Sequence, residues 1–214
     1  GLEWTVSHRN KFNLGGKPFR YSANLNMTWA TNKWLRYPDD PNTQEWRKVV
    51  GTDVDAYYIW IADGLYRSEE EITNSAWYGN RPNVGDIKYK DLNGDGVIDE
   101  QDRGRFGRSN RPKIMAGLNV GANWNGFDFN AQFTAGFKFD VSLLGTYYNG
   151  YDDNTVWSQT FKEGANSPLW LVQDSYSEDN PNAKYPRITL GTVSHGGNNG
   201  LASSFWNKKG DYVR

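Results

Sequence analysis

Apolar residues recur at every second position over residues 113–137. Ile114, Ala116, Leu118, Val120, Ala122 and Trp124 alternate with positions that include Lys113, Asn119 and Asn123, the period of two that marks a strand with one apolar face. Asn125-Gly126 follows. That pair accepts the positive φ angles of a type I′ hairpin turn, because Gly has no Cβ and Asn tolerates the left-handed region. On the return, Phe127, Phe129, Ala131, Phe133 and Ala135 share one face, and Asp128, Asn130, Gln132 and Thr134 the other. A second hairpin lies near the start of the chain. Leu2, Trp4 and Val6 alternate with Glu3, Thr5 and Ser7, residues 15–18 carry the turn residues Gly-Gly-Lys-Pro, and Phe19, Tyr21, Ala23, Leu25, Met27 and Trp29 alternate with Arg20, Ser22, Asn24, Asn26 and Thr28. The pattern predicts strands near 2–12, 19–30, 113–124 and 127–139, with a fifth, poorly alternating one near 204–214.

These arms are about twice the usual strand of five or six residues in a soluble protein. They match the about 9–11 residues with which a tilted barrel strand crosses an outer membrane. Aromatic residues sit at both ends of each apolar face: Trp124, Phe127 and Phe129 near one turn, Phe137 and Phe139 at the far end, Phe19 and Trp29 in the other hairpin. Two interfacial girdles have this form. A hairpin of a soluble β-sandwich with one buried face gives the same alternation, so the connections decide between them. Tight turns alternate with two very long connections, near residues 31–112 and 143–203. Outer-membrane barrels have short periplasmic turns and long extracellular loops, whereas a compact soluble domain rarely needs two such loops. The expected fold is all-β, part of a large transmembrane antiparallel β-barrel whose long extracellular loops carry short helices. Those helices are expected at residues 45–50, after Ser68, where Ser68 and Glu71 have capping-box spacing, and at residues 155–161.

Composition changes this picture little. The 214 residues carry a formal net charge of −1 and no Lys/Arg cluster, which argues against a nucleic-acid partner. No apolar run approaches the length of a membrane helix, and alternating strands average to a polar value, here a mean hydropathy of −0.82. Cysteine is absent, which removes disulfides, thiolate metal sites and cysteine nucleophiles. The first residue is Gly1 and the last four, Asp211-Tyr212-Val213-Arg214, stop in mid-pattern, so a fragment of a longer chain is expected.

One stretch carries specific chemistry. Over residues 91–102, Asp91, Asn93, Asp95, Asp99 and Asp102 occupy loop positions 1, 3, 5, 9 and 12, with Gly96 at position 6, the EF-hand calcium spacing. The expected ligands are Asp91, Asn93, Asp95, Asp102, the Val97 carbonyl, and Asp99 directly or through water, holding a structural Ca2+. Asp102 stands where an EF-hand has a bidentate Glu, and residues 103–107 are unsuited to an exit helix. A metal-free Asx-rich turn uses the same Asn-Gly and Asp-Gly pairs. No catalytic residues are expected: His8 and His195 lack zinc spacing, and neither a nucleophile elbow nor a phosphate loop occurs.

The series Asp63-Gly64-Leu65-Tyr66, Glu69-Glu70-Glu71-Ile72, Gly85-Asp86-Ile87-Lys88-Tyr89, the metal loop, Gly117-Leu118-Asn119-Val120-Gly121 and Gly126-Phe127-Asp128 resembles the C-terminal part of SusC/RagA-type TonB-linked outer-membrane transporters. Asn182-Ala183-Lys184-Tyr185-Pro186-Arg187, Phe205-Trp206 and Gly210-Asp211-Tyr212-Val213-Arg214 continue it in order. The resemblance implies a barrel plugged by an N-terminal domain, in a Bacteroidetes-like Gram-negative outer membrane. It implies a SusD-like surface lipoprotein as partner, glycan or in some members peptide cargo, and energy from the TonB complex through a TonB box. Neither plug nor TonB box is in this sequence. A soluble calcium-stabilised glycan-binding module and a secreted glycoside hydrolase are the alternative expectations.

Overall fold

A computed structural model describes residues 1–143, 169–188 and 198–214. The strands, in chain order, are β1 (Leu2–Leu14), β2 (Lys17–Trp29), β3 (Tyr58–Trp60), β4 (Ala62–Leu65), β5 (Ile87–Tyr89), β6 (Arg103–Arg105), β7 (Ile114–Trp124), β8 (Phe127–Phe137), β9 (Asp140–Ser142), β10 (Asn207–Lys209) and β11 (Tyr212–Val213). Two short α-helices, α1 (Glu69–Thr73) and α2 (Leu169–Gln173), lie in the long connections.

One antiparallel sheet in the order β1-β2-β7-β8-β11 forms the wall. Its two hairpins close on two-residue turns. Gly15 and Gly16 have φ of 58° and 74°, and Asn125 and Gly126 have 47° and 88°, which fits the type I′ chemistry of the second pair. Because the first turn is only Gly15-Gly16, β1 extends to Leu14 and β2 begins at Lys17. Lys17 and Pro18 therefore belong to a strand rather than the turn, with Pro18 opposite Asn13. The register aligns the apolar faces: Phe19 faces Trp124, Leu25 faces Leu118 and Trp29 faces Ile114, while Leu118 faces Phe133 and Trp124 faces Phe127. Directly opposed side chains share a face, so apolar bands run across β2, β7 and β8 and continue into β1 except at His8 and Asn10. Aromatic rings gather at the turn end, where Phe12, Phe19 and Tyr21 contact one another.

The expected strand near 204–214 is two pieces, and the strand near 127–139 stops at Phe137. The physical reason is a shared bend. Lys138 adopts φ of 62°, and its N–H donates to Asp211 Oδ1 at 2.7 Å. Opposite, a Cβ on Gly210 would lie 2.3 Å from the Phe139 ring. Beyond the bend β9 pairs with β10 as a separate two-stranded ladder beside the long connections.

Apolar burial lies in those connections rather than in the sheet. Trp60, Leu65, Ile87, Tyr89, Ile98, Leu171 and Trp206 form one buried cluster, drawing on both long segments. The ribbons β3–β6 and β4–β5 frame it. The expected helix at 45–50 is a single 3-10 turn, Glu45–Arg47, followed by an extended Lys48. The helix after Ser68 is present as α1, its Ser68 hydroxyl accepting from Glu71 N–H at 3.1 Å. The Glu71 carboxylate reaches back to Arg67 N–H, one residue before the usual capping-box partner. Residues 155–161 lie outside the described residues.

Candidate functional site

The metal-loop sequence folds as a tight series of Asx turns. Asp91 accepts from the N–H groups of Gly94 (2.7 Å) and Gly96 (2.8 Å), Asn93 from Asp95 N–H (3.1 Å), Asp95 from Val97 N–H (3.0 Å) and Asp99 from Gln101 N–H (2.7 Å). Gly94 and Gly96 take φ of 75° and 84°, which side chains with a Cβ resist. Asp102 is fully buried and closes the loop, accepting from Leu92 N–H at 2.7 Å and Asp99 N–H at 3.0 Å. Among the described residues no three carboxylate, His or Cys side chains come together as a metal cage. Each carboxylate oxygen has two lone pairs, so one backbone bond leaves acceptor capacity on Asp91, Asp95 and Asp99. The donor set, all hard oxygen, suits Ca2+. The loop is also tied to its surroundings: Trp60 Nε1 donates to Asp99 O (2.9 Å) and Trp46 Nε1 to Gln101 O (2.8 Å). Residues 103–105, at which an exit helix would begin, are β6.

A second constellation joins the two long connections. Asp86, 6% exposed, accepts from Arg187 Nε at 2.7 Å, Asn199 Nδ2 at 2.8 Å and Asn83 N–H at 2.8 Å. Asn199 in turn accepts from Ile87 N–H (2.8 Å), and its carbonyl takes the Trp206 indole N–H (2.9 Å). Nearby, Arg67 Nη2 donates to Ala183 O at 3.0 Å and Nη1 to Pro181 O. Gly85 has φ of 90°, and a Cβ there would fall 2.1 Å from the Tyr176 ring. Residues 63–66, 85–89, 182–187 and 205–206, far apart in sequence, thus meet in one place as structural pins.

Tyr66 is fully buried with its hydroxyl on Ala76 O at 2.9 Å; burial, with the Glu71 and Asp86 charges adding, pushes its pKa up to about 12. Burial likewise raises Tyr89. Glu71 moves the other way: its bond from Lys88 Nζ (2.8 Å), then that from Arg67 N–H, hold its carboxyl below the usual range. A depressed folded-state pKa stabilises above the unfolded value and the contribution disappears as pH falls through the folded value. Wild type should therefore lose loop stability on acidification below about pH 4.5 more steeply than Glu71→Gln, compared by thermal unfolding across pH 3–7.

Among the tryptophans of the long connections, Trp60 is core, Trp46 is a strut, and Trp34 stacks edge-on against Tyr37. Trp170 contacts Tyr185 and stays 43% exposed. Trp157 and His195 lie outside the described residues. His8 lies in β1 beside Tyr21.

No family model matches the chain. Over 141 residues it is 28% identical to a TonB-dependent receptor, P26, of Formosa agariphila, covering 66% of this chain and 13% of the receptor. The solved RagAB peptide transporter matches with a TM-score of 0.53 at 15% identity, covering 99% of this chain and 21% of that one. The RagAB peptide importer in its closed-closed state matches with a TM-score of 0.53 at 14% identity. This chain thus spans a small part of the length of its relatives. The architecture is all-β, a section of antiparallel wall of the kind found in TonB-dependent transporters. In fold the chain resembles the RagAB transporter and in sequence a TonB-dependent receptor, the resemblance that the motif series indicates.

Proposed function

We propose that this chain is wall and loop of an outer-membrane, TonB-dependent importer of nutrients. One observation carries the reading: the five-stranded sheet has an apolar, ring-edged face and a polar face opposite, while the hydrophobic core lies apart in the long connections. A sheet of a soluble protein buries its apolar face; here Val6, Phe129 and Phe133 are about half exposed. Lipid is the solvent that fits such a face. The opposite face, with Ser22, Asn24, Asn119 and Gln132, then lines the lumen, and the core-bearing unit of long connections stands outside the cell. The cargo class is glycan or peptide, received with a SusD-like surface lipoprotein, in a Bacteroidetes-like Gram-negative outer membrane. TonB coupling comes through the plug and TonB box, supplied from elsewhere in the protein.

Detergent extraction of the full-length parent from outer membranes, with mass spectrometry of what co-purifies, tests this. Recovery from the membrane with a SusD-like lipoprotein is the expected result; recovery from the soluble fraction without one would sink it.

The 91–102 loop binds Ca2+ in this reading, through Asp91, Asn93, Asp95, the Val97 carbonyl and Asp99, with Asp102 closing the loop. Its role is to stiffen the external unit, because no pair of helices is there to move in response. Calorimetric titration of the full-length protein should show binding in the millimolar range or tighter. Asp91→Ala should abolish it. An unchanged isotherm in that variant, or none in wild type, refutes calcium at this loop.

A further inference from the structure

Between the turn at residues 37–43 and the β3–β6 ribbon lies a hollow of about 430 Å³, lined by Tyr37, Asp39, Thr43, Arg47, Tyr58 and Arg105 among others. This is within the usual range of small-ligand pockets. Two carboxylates, Asp39 and Asp40, and two arginines, Arg47 and Arg105, line it, and the arginines are the less fully partnered. The Asp39 carboxylate receives the N–H of Val49 at 3.1 Å and of Val50 at 3.2 Å, which pins the turn to the segment that follows Glu45–Arg47. The donors are not used up. Arg47, in the lining, donates through Nε to the Tyr58 hydroxyl oxygen at 3.0 Å, and its two terminal nitrogens have no partner among the described residues. Since that oxygen is the acceptor, the Tyr58 O–H proton is itself free to donate. Arg105 stands directly opposite Tyr58 in the β3–β6 register, and its side chain has no ion pair or hydrogen bond among the described residues.

The local fold holds these groups in place. Gly104 lets the 3-10 turn of Glu45–Arg47 settle on β6, because a Cβ there would meet Trp46 O at 2.4 Å. Arg103 lies over the Tyr58 ring at 4.9 Å and donates from Nε to Tyr58 O at 3.0 Å, fixing that residue from both sides. Two guanidinium groups and a phenol on short, braced elements make a preorganised anion receptor. Planar guanidinium forks match carboxylate oxygens two at a time.

We propose that this hollow is a cargo subsite that binds a carboxylate, resting on the importer reading above. Asp40, also in the lining, with one oxygen accepting from Asn42 N–H, disfavours polyanions of high charge density, so an isolated carboxylate fits best. A uronate residue of an oligosaccharide and the C-terminus of a short peptide both supply one.

The test uses full-length protein in detergent and four probes by calorimetry: a neutral oligosaccharide carrying one terminal glucuronate, its methyl ester, a tetra-alanine peptide with a free C-terminus, and the C-terminal amide of that peptide. One free acid should bind, its ester or amide at least about tenfold more weakly, and Arg105→Gln and Arg47→Gln should each lower affinity of the acid about tenfold or more. Arg105→Lys should restore only part, keeping charge but losing the fork. The series that binds identifies the cargo class. Equal affinity for acid and blocked probe, an unaffected Arg105→Gln protein, or no binding of either acid at millimolar concentration overturns the subsite. Cellular uptake separates the two readings. Probe binding without uptake by cells producing the full-length protein fails the importer and keeps the subsite. Uptake of neutral cargo with no acid bound does the reverse.

Discussion

Asp86→Ala should unfold the unit formed by the two long connections while leaving the barrel wall paired. Asp86 receives three hydrogen bonds, and two of the donors, Arg187 and Asn199, come from the second connection. Without it the Arg187 guanidinium, 28% exposed, loses its counter-ion, and Asn199, 5% exposed, loses an acceptor at the place where it also holds Ile87 and Trp206. Removing one member of a buried, hydrogen-bonded pair costs about 3–5 kcal/mol, and Arg187's partial access to water puts this case at the low end. Asp86→Asn should cost less, because its amide oxygen still accepts from one donor. Gly85→Ala should approach the Asp86→Ala loss by a different route: its φ of 90° disfavours any Cβ, and the Tyr176 ring fills the space. Limited proteolysis of full-length protein in detergent reads this out. Cleavage should appear in the two connections at temperatures where wild type resists, with the heat-modifiable electrophoretic shift of the barrel unchanged. If the connections stay resistant in Asp86→Ala, the pin is not what joins them.

The wall was legible in sequence because its signal is dense: residues 19–29 and 114–137 state the apolar face at every second position, and tight turns fix register. The core of the connections was not, because its members are isolated. Trp60, Leu65, Ile87, Ile98, Leu171 and Trp206 belong to strands of three or four residues, to loops and to one helical turn, none long enough to show a period. The bend at Lys138 and Gly210 is similarly silent, since nothing in a strand-like run announces that a ring from the neighbouring strand needs the space of a missing Cβ. The motif series did mark residues 85–89 and 182–187, but as a resemblance; that Asp86 and Arg187 form a pair across the connections is a fact of geometry. The metal loop shows the opposite limit. Its spacing predicts a Ca2+ loop, with a metal-free Asx-rich turn as the alternative, and in the structure those oxygens accept from the loop's own N–H groups, which spacing alone does not reveal.

Whether the apolar face meets lipid is the question on which the functional reading stands, and Leu118→Arg answers it. Leu118 is midway along β7, between Leu25 on β2 and Phe133 on β8, farthest from both aromatic ends, where a lipid-facing side chain is deepest in the hydrocarbon. Arginine at that depth costs about 2–4 kcal/mol, and assembly into the outer membrane should fall several-fold, measured as heat-modifiable barrel in isolated membranes. Asn119→Arg, one residue on, points the same new charge to the other face, where Asn24 and Gln132 flank it and water is at hand; assembly there should stay near wild type. The contrast between adjacent positions removes general damage to the strand as an explanation. If instead Asn119→Arg is the harmful change and Leu118→Arg is tolerated, the polar face is the packed one, the sheet is not a membrane wall, and the importer reading falls with it.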